Sequence, residues 1–411
     1  MPATLLKNIK TLTGLGNPDQ PLRGSALSVL SSVNDAYLLI EDGEISSFGS
    51  MQELQFENAT HTIDATGRFV LPAWCDSHTH LVFAASREEE FVDKLKGLTY
   101  AEIASRGGGI LNSARKLQAA SEDELFNNAW KRLEEIAKWG TGAVEIKSGY
   151  GLTVEAELKM LRVIKRLKER SPLSIKATFL GAHTYPPEFR DDHAGYIHSI
   201  IHRMLPVIAQ EKLADYIDVF CEHGFFSAAE TETICLAGMQ YGLKAKIHAN
   251  QLNLSGGVEV GVKLNAVSVD HLETMNEETI RLLASSNTIA TMLPTAAFFL
   301  RMPFQPARQM IDAGCAVALA TDFNPGSSPS GNMNLLLAMS CIQMKMLPEE
   351  VINAATINGA FAMELDKELG SIAPGKKANL ILTKEIPSLA YIPYAFGNTL
   401  VDRVMINGEW Q

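Results

Sequence analysis

The chain has 411 residues, with 36 Lys+Arg against 47 Asp+Glu, a formal net charge of −11 and a pI near 5.5. With 46% hydrophobic and 20% charged residues it has ordinary globular composition, and it is long enough for one large domain and a small one. The acidic balance argues against nucleic acid as a generic partner, and no run of about eighteen apolar residues suits a membrane span.

The opening stretch, MPATLLKNIKTLTGLG, lacks the apolar core and small-residue cleavage site of a signal peptide. Residues 1–68 read as short strands: ALSVL, DAYLLIEDGEISSFG and THTIDATGRFV carry β-type residues broken by Asp-Gly and Thr-Gly turns. The end of the chain, KKANLILT and then TLVDRVMINGEW with its Asn-Gly turn, has the same character, so 1–68 plus 371–411 are expected to build one composite β domain. In 69–370, apolar β-type runs at 69–78, 142–148, 174–182, 216–222, 243–249, 266–272, 288–294 and 316–323 alternate with helical stretches. In SEDELFNNAWKRLEEIAKWG, Ser121 followed by Glu124 is a capping-box pattern and Gly140 a stop. In VEAELKMLRVIKRLKER, Leu158, Leu161, Ile164 and Leu167 share one helix face. Strands alternating with helices imply a parallel sheet, and a count of eight predicts an α/β fold of the (β/α)8 TIM-barrel type. The stretch 81–120 is long for one connection and predicts an active-site loop plus a helix. Cys75, Cys221, Cys235, Cys315 and Cys341 form no CxxC pair, which argues against a disulfide framework and for a reducing cytoplasm.

In such a barrel, catalytic groups sit at the C-terminal strand ends. Strand one ends in His78-Thr79-His80, and strand two is followed by Lys147-Ser148-Gly149-Tyr150-Gly151. His183, Glu222-His223, His248, Asp270-His271 and Thr321-Asp322-Phe323-Asn324 follow at strands three, four, five, six and eight. One such histidine would be an ordinary residue of the barrel mouth, but six of the ten converge on one face. His78 and His80, two residues apart, point to the same side of their strand and can share one cation. Together with a later strand-end His and Asp they make three imidazoles and one carboxylate, a set that suits Zn²⁺ and also iron. An open position on the ion would hold water whose pKa falls toward neutrality.

The run Leu71-Pro72-Ala73-Trp74-Cys75-Asp76-Ser77-His78-Thr79-His80 resembles the strand-one signature of the amidohydrolase superfamily. HTHLVFAASREEEF, RGGGI, KSGYGL, FLGAHTYP, IHANQL, SVDHLE and ATDFNPGSS are similar to the imidazolonepropionase family within it, over about residues 66–335 and more loosely to both ends. The resemblance implies a metal-bearing barrel with a β-sandwich built from both chain ends. It implies His78, His80, His248 and Asp322 as metal ligands, and Arg87, Tyr150, His183, Gln251, Asn324, Gly326 and Ser327 as substrate contacts. It places His271 beside the attacking water, with Asp322 to receive the proton, His271 to shuttle or stabilise, and His183 to donate to the ring carbonyl or recognise the ring. The implied substrate is the small molecule 4-imidazolone-5-propanoate, opened to N-formimidoyl-L-glutamate in histidine degradation; a homodimer is compatible with the family. A deaminase or another cyclic amidase of the superfamily is the alternative, and Arg87 and Tyr150 discriminate, because a carboxylate tail needs a cation and a purine does not.

Strand four ends in Glu222-His223 without the lysine that bridges two metals in many relatives, so one Zn²⁺ or Fe ion per subunit is expected. Glu222 and His223 then read as orienting or structural groups, and Lys147 as a loop charge or a strand-end structural pair. Gln251 is an amide, so it can hydrogen-bond the ring or the water but cannot act as a base. Arg87 is expected to fork onto the propanoate tail; the alternative is pairing with Glu88, Glu89 or Glu90 in a largely solvated charge run. Gly107-Gly108-Gly109 lacks the Lys-Ser/Thr ending of a phosphate loop and reads as a lid and a helix approach needing unusual backbone angles.

Overall fold

The structure is a computed structural model that describes residues 3–55, 59–98, 102 and 108–411. Eight parallel strands run in sequence order as one sheet: β6 (Trp74–Thr79), β7 (Thr141–Lys147), β8 (Ser174–Ala182), β9 (Tyr216–Cys221), β10 (Lys244–Ala249), β11 (Ser268–His271), β12 (Ile289–Met292) and β13 (Val317–Leu319). Each matches one of the eight apolar runs, as expected for strands buried on both faces. The ring closes between β13 and β6: Asp322 N–H donates to the His78 carbonyl (2.9 Å), and His80 N–H donates to the Phe323 carbonyl (2.9 Å). Buried Asp76 adds to this seam, accepting from the Thr321 backbone N–H (2.9 Å) and hydroxyl (2.6 Å).

Two helices follow β6 among the described residues, α1 (Glu88–Leu95) and α2 (Ile110–Ala119). Then come α3 (Glu122–Lys138) and α4 (Val154–Arg170). Ser121 caps α3 by accepting from Glu124 N–H (3.2 Å), and Gly140 turns the chain into β7 at φ 106°. Leu158, Leu161, Ile164 and Leu167 are all buried, so the predicted stripe of α4 is its inner face.

Both chain ends build the second sheet, in the order β16-β15-β14-β5-β1-β2-β3 with β4 on β1. The strands are β1 (Ala3–Thr13), β2 (Ser32–Glu41), β3 (Glu44–Ser50), β4 (His61–Asp64), β5 (Arg68–Pro72), β14 (Leu380–Glu385), β15 (Val401–Ile406) and β16 (Glu409–Trp410). Their shared core contains Leu6, Ile9, Leu12, Leu38 and Ile40 from one end and Leu380, Leu382 and Met405 from the other. The apolar run 69–78 is therefore two strands. Through Pro72 it pairs with β14, Val70 opposite Leu382; from Trp74 it enters the barrel, where Trp74 N–H donates to the Gly140 carbonyl (2.8 Å). The continuous apolarity hides this change of partner, because both sheets demand it.

All five cysteines are free, and among the described residues no helix is long and apolar enough to cross a membrane.

The Asp42-Gly43 and Asn407-Gly408 turns of the two ends touch. All four residues have positive φ, as two-residue hairpin turns require, and a Cβ on Gly408 would lie 2.5 Å from the Gly43 Cα. Gly408→Ala should lower stability by about 1–3 kcal/mol, read as a lower urea midpoint; an unchanged midpoint would show that this contact does not tie the ends together.

Candidate active site

The closing seam decides where the chemistry-bearing groups lie. Because Asp322 N–H is fixed to the His78 carbonyl, its carboxylate turns inward at φ 53°, 3.5 Å from His78 Nε2 and 3.4 Å from His80 Nε2. His248 comes in from β10, with its Nε2 3.5 Å from that of His80. His271 ends β11 at φ 88°, its ring 5.2 Å from His248 and 5.6 Å from His78. A left-handed backbone at a non-glycine residue is strained, and here two of the site residues are held that way.

These side chains could hold a metal ion. His78, His80 and Asp322 form one group with converging ligand atoms, and His78, His248 and His271 form another. His78 donates Nδ1–H to Asp270 (2.6 Å), which leaves its buried Nε2 a lone pair without a hydrogen-bond partner. The imidazoles of His80 and His248 face each other Nε2 to Nε2, an arrangement that suits a shared cation between them. Burial, first of all, lowers the pKa of His78, His80 and His248 far below the ordinary imidazole range, and so favours the neutral form that ligates. Burial also pushes Asp322 up to about 7. His271 goes the other way: burial opposes its cation, but Glu273, 3.4 Å from Nδ1, and the neighbouring aspartates raise its pKa.

Beneath the imidazoles lies a fully buried ionic cluster. Lys147, the last residue of β7, donates to Glu145 (2.6 Å) and Asp218 (2.8 Å) and lies 3.4 Å from Asp270. Lys246 pairs with the other oxygen of Glu145 and donates to the Ser77 carbonyl (3.1 Å). Asp270 holds His78. Asp218 Oδ2 lies 2.9 Å from His248 Nδ1, off the line of a hydrogen bond, while Asp218 Oδ1 accepts from the His248 backbone N–H (3.1 Å). Lys147 is thus no loop charge but the pair partner inside the barrel, linking one carboxylate that orients the His78 imidazole and one that faces the His248 ring. Burial disfavours its charge, yet Asp218, Glu145 and Asp270 outweigh that and raise its pKa.

A cavity of about 210 Å³ opens beside this cluster, lined by Arg87, Lys94, Tyr150, His183, Asn324, Gly326 and Ser327 among others. His183 stacks on His80 (5.4 Å, 15°). Burial lowers its pKa to about 4, so it is neutral at pH 7; its Nδ1–H donates to the Gly149 carbonyl (3.0 Å), which leaves Nε2 as an acceptor. That fits recognition of a ring N–H rather than donation to a carbonyl. Asn324 is engaged in its own loop: its Oδ1 accepts from the N–H groups of Gly326 and Ser327 (both 2.8 Å), and its Nδ2 donates to Ser327 Oγ (2.7 Å).

Arg87 precedes α1 and reaches the cavity, but Glu90 accepts from both its Nε (2.9 Å) and its Nη2. Nη1 lies against Gly326, where any Cβ would collide with it. Arg87 is thus paired with a glutamate, as its alternative reading expected, and it also lines the cavity. Glu88 and Glu89 are exposed, whereas Glu90 is buried and also accepts from Gly109 N–H (3.0 Å). Gly109, at φ 83°, provides the unusual backbone expected ahead of α2; Gly107 lies outside the described residues.

Gln251 is buried just past β10 but does not line this cavity. Glu222 holds its loop, accepting from Leu252 N–H (2.8 Å) and Asn253 Nδ2 (3.2 Å). His223 is exposed, so five of the six strand-end histidines converge and this one does not; after Cys221 the chain turns outward through Gly224 at φ 83°. Asp218, Glu145 and Lys246 carry no sequence motif, whereas Asp270 stands beside His271 at a strand end. The only signal of the first three is a charged residue inside an apolar strand run.

Residues 69–411 match the amidohydrolase family. The chain is 58% identical over 407 residues to a protein named imidazolonepropionase from Flavobacterium johnsoniae, covering 99% of each. It is 54% identical over 406 residues to one from Christiangramia forsetii (98% of this chain, 99% of that one), and 42% identical over 402 residues to one from Thermoanaerobacter pseudethanolicus (98% and 96%). Among solved structures it resembles a 5-methylcytosine deaminase from Klebsiella pneumoniae (TM-score 0.76, 16% identity, 99% and 96% covered). It also resembles the guanine deaminase of E. coli (TM-score 0.74, 13% identity, 100% and 99% covered). At these identities the likeness shows the shared barrel fold alone.

Replacing Lys147 by Met should leave three buried carboxylates short of one cation and cost about 3–5 kcal/mol, measured by denaturant unfolding. A loss below 1 kcal/mol would contradict the bridging role.

Proposed function

The chain belongs to the amidohydrolase family and, within it, to the imidazolonepropionases, and on that premise we propose that it opens the cyclic amide of 4-imidazolone-5-propanoate by hydrolysis to N-formimidoyl-L-glutamate, a step of histidine degradation. The observation that carries this reading is the convergence of His78, His80, His248 and Asp322 beside a small cavity whose wall bears Arg87, Tyr150 and His183.

In this reading His78, His80, His248 and Asp322 would hold one Zn²⁺ or Fe ion. When bound, such an ion lowers the pKa of water toward neutrality and stabilises the negative charge that develops on the carbonyl oxygen. His183 accepts a ring N–H at Nε2 and so fixes which face of the ring meets the attacking water. Asp322, whose carboxylate lies beside Nε2 of both His78 and His80, would receive the proton of the attacking water. His271, whose cation Glu273 supports, carries the proton to the departing ring nitrogen. Arg87 and the loop from Asn324 to Ser327 meet the propanoate end, and Tyr150 closes the cavity beside His80 (5.8 Å between rings).

The test follows loss of the imidazolone chromophore and identifies the product by mass. Expected are ring opening with gain of one water and loss of activity on chelation; release of ammonia without ring opening would favour a deaminase. His78→Ala should lose both metal and turnover. His271→Ala should keep its metal and lose about 100-fold or more in kcat; loss of metal from a folded His271→Ala chain would make His271 a ligand and overturn the role given to it.

A further inference from the structure

One cation on the cavity wall has no part in that reading. Arg87, Glu90 and Lys94 stand at i, i+3 and i+7 along the start and body of α1, so they share one face of the helix, and that face looks into the cavity. Arg87 and Glu90 neutralise each other through two guanidinium nitrogens. Glu90 is further fixed by Gly109 N–H, so it is not free to swing away when an anion arrives. The charge that α1 offers the cavity is therefore that of Lys94. This ammonium makes no ion pair within 4 Å among the described residues, while burial lowers its pKa, the nearby Arg87 adds to the effect and Glu90 opposes it. Apolar Ile110, Phe220, Phe225 and Leu300 line the same cavity. A carboxylate that leaves water for such surroundings needs a net cation, which the paired Arg87 does not supply.

We propose that Lys94 is the cation that meets the substrate's carboxylate, with Arg87 Nη1 and the loop at Gly326 as its neutral-pair partners, and that Lys94 sets the preference for an acid over an uncharged tail. The inference rests on the proposed function only in taking the ligand to carry a carboxylate.

Calorimetry on the metal-loaded full chain tests it, with imidazole-4-propanoate and the matching propanamide as probes. The parent chain should bind the acid more tightly than the amide. Lys94→Met should weaken acid binding by about tenfold or more, the size of a lost charged hydrogen bond, and leave the amide within about twofold; Lys94→Arg should restore most of the preference. Lys94 is only half buried, so its variants keep the fold. Equal affinity of parent and Lys94→Met for the acid, an equal loss for acid and amide, or a parent without acid preference would each overturn the inference. If the parent prefers the acid through Lys94 yet fails to open the imidazolone, the proposed function falls and Lys94 stands. If it opens the imidazolone and Lys94→Met still prefers the acid, Lys94 falls and the function stands.

Discussion

The site depends on one ammonium group sealed inside a barrel. Lys147 lies at hydrogen-bonding distance from Asp218 and 3.4 Å from Asp270, and those two carboxylates face the Nδ1 atoms of His248 and His78. A buried charge without partners costs several kcal/mol, so each member of such a cluster is constrained by all the others. Three carboxylates against two ammoniums leave one negative charge, and Asp322 above them adds another when ionised. An interior with that balance, roofed by neutral imidazoles, suits a divalent cation. The burial that makes the cluster costly also keeps the imidazoles unprotonated and ready to ligate.

The second constraint is the seam that closes the barrel. Hydrogen bonds between 78–80 and 322–323 place the last acidic group of the site against the first two histidines, although some 240 residues of chain separate them. The substrate end is built differently, from loop and helix groups that brace one another: Glu90 fixes Arg87 and Gly109, Asn324 fixes Gly326 and Ser327, and Glu222 fixes the segment with Gln251. The metal end is rigid because it is buried, whereas the substrate end is held mainly by hydrogen bonds at the barrel mouth.

Much of this was legible in the residues. Eight apolar runs became eight barrel strands because strands covered on both faces leave no alternation to misread. The same property concealed the break at Ala73, where the partner changes from β14 to β7 while burial does not. His78, His80, His183, His248, His271 and Asp322 could be found because strand ends in this architecture point to one place. His223 obeyed the same rule in sequence and failed it in space, since the turn at Gly224 carries it outward. Lys147 was ambiguous because nothing local reveals partners 71 and 123 positions away at Asp218 and Asp270. Glu90 looked like its exposed neighbours Glu88 and Glu89; only the docking of α1 over the cavity separates them.

The most direct test of the account is anomalous diffraction from crystals of the metal-loaded chain, recorded at the zinc and iron edges. The account predicts one ion per chain bound by His78, His80, His248 and Asp322, with His271 outside the coordination sphere and Lys147 still between Asp218 and Asp270. An ion held by His78, His248 and His271 without Asp322, or a second ion at Glu222, would contradict it.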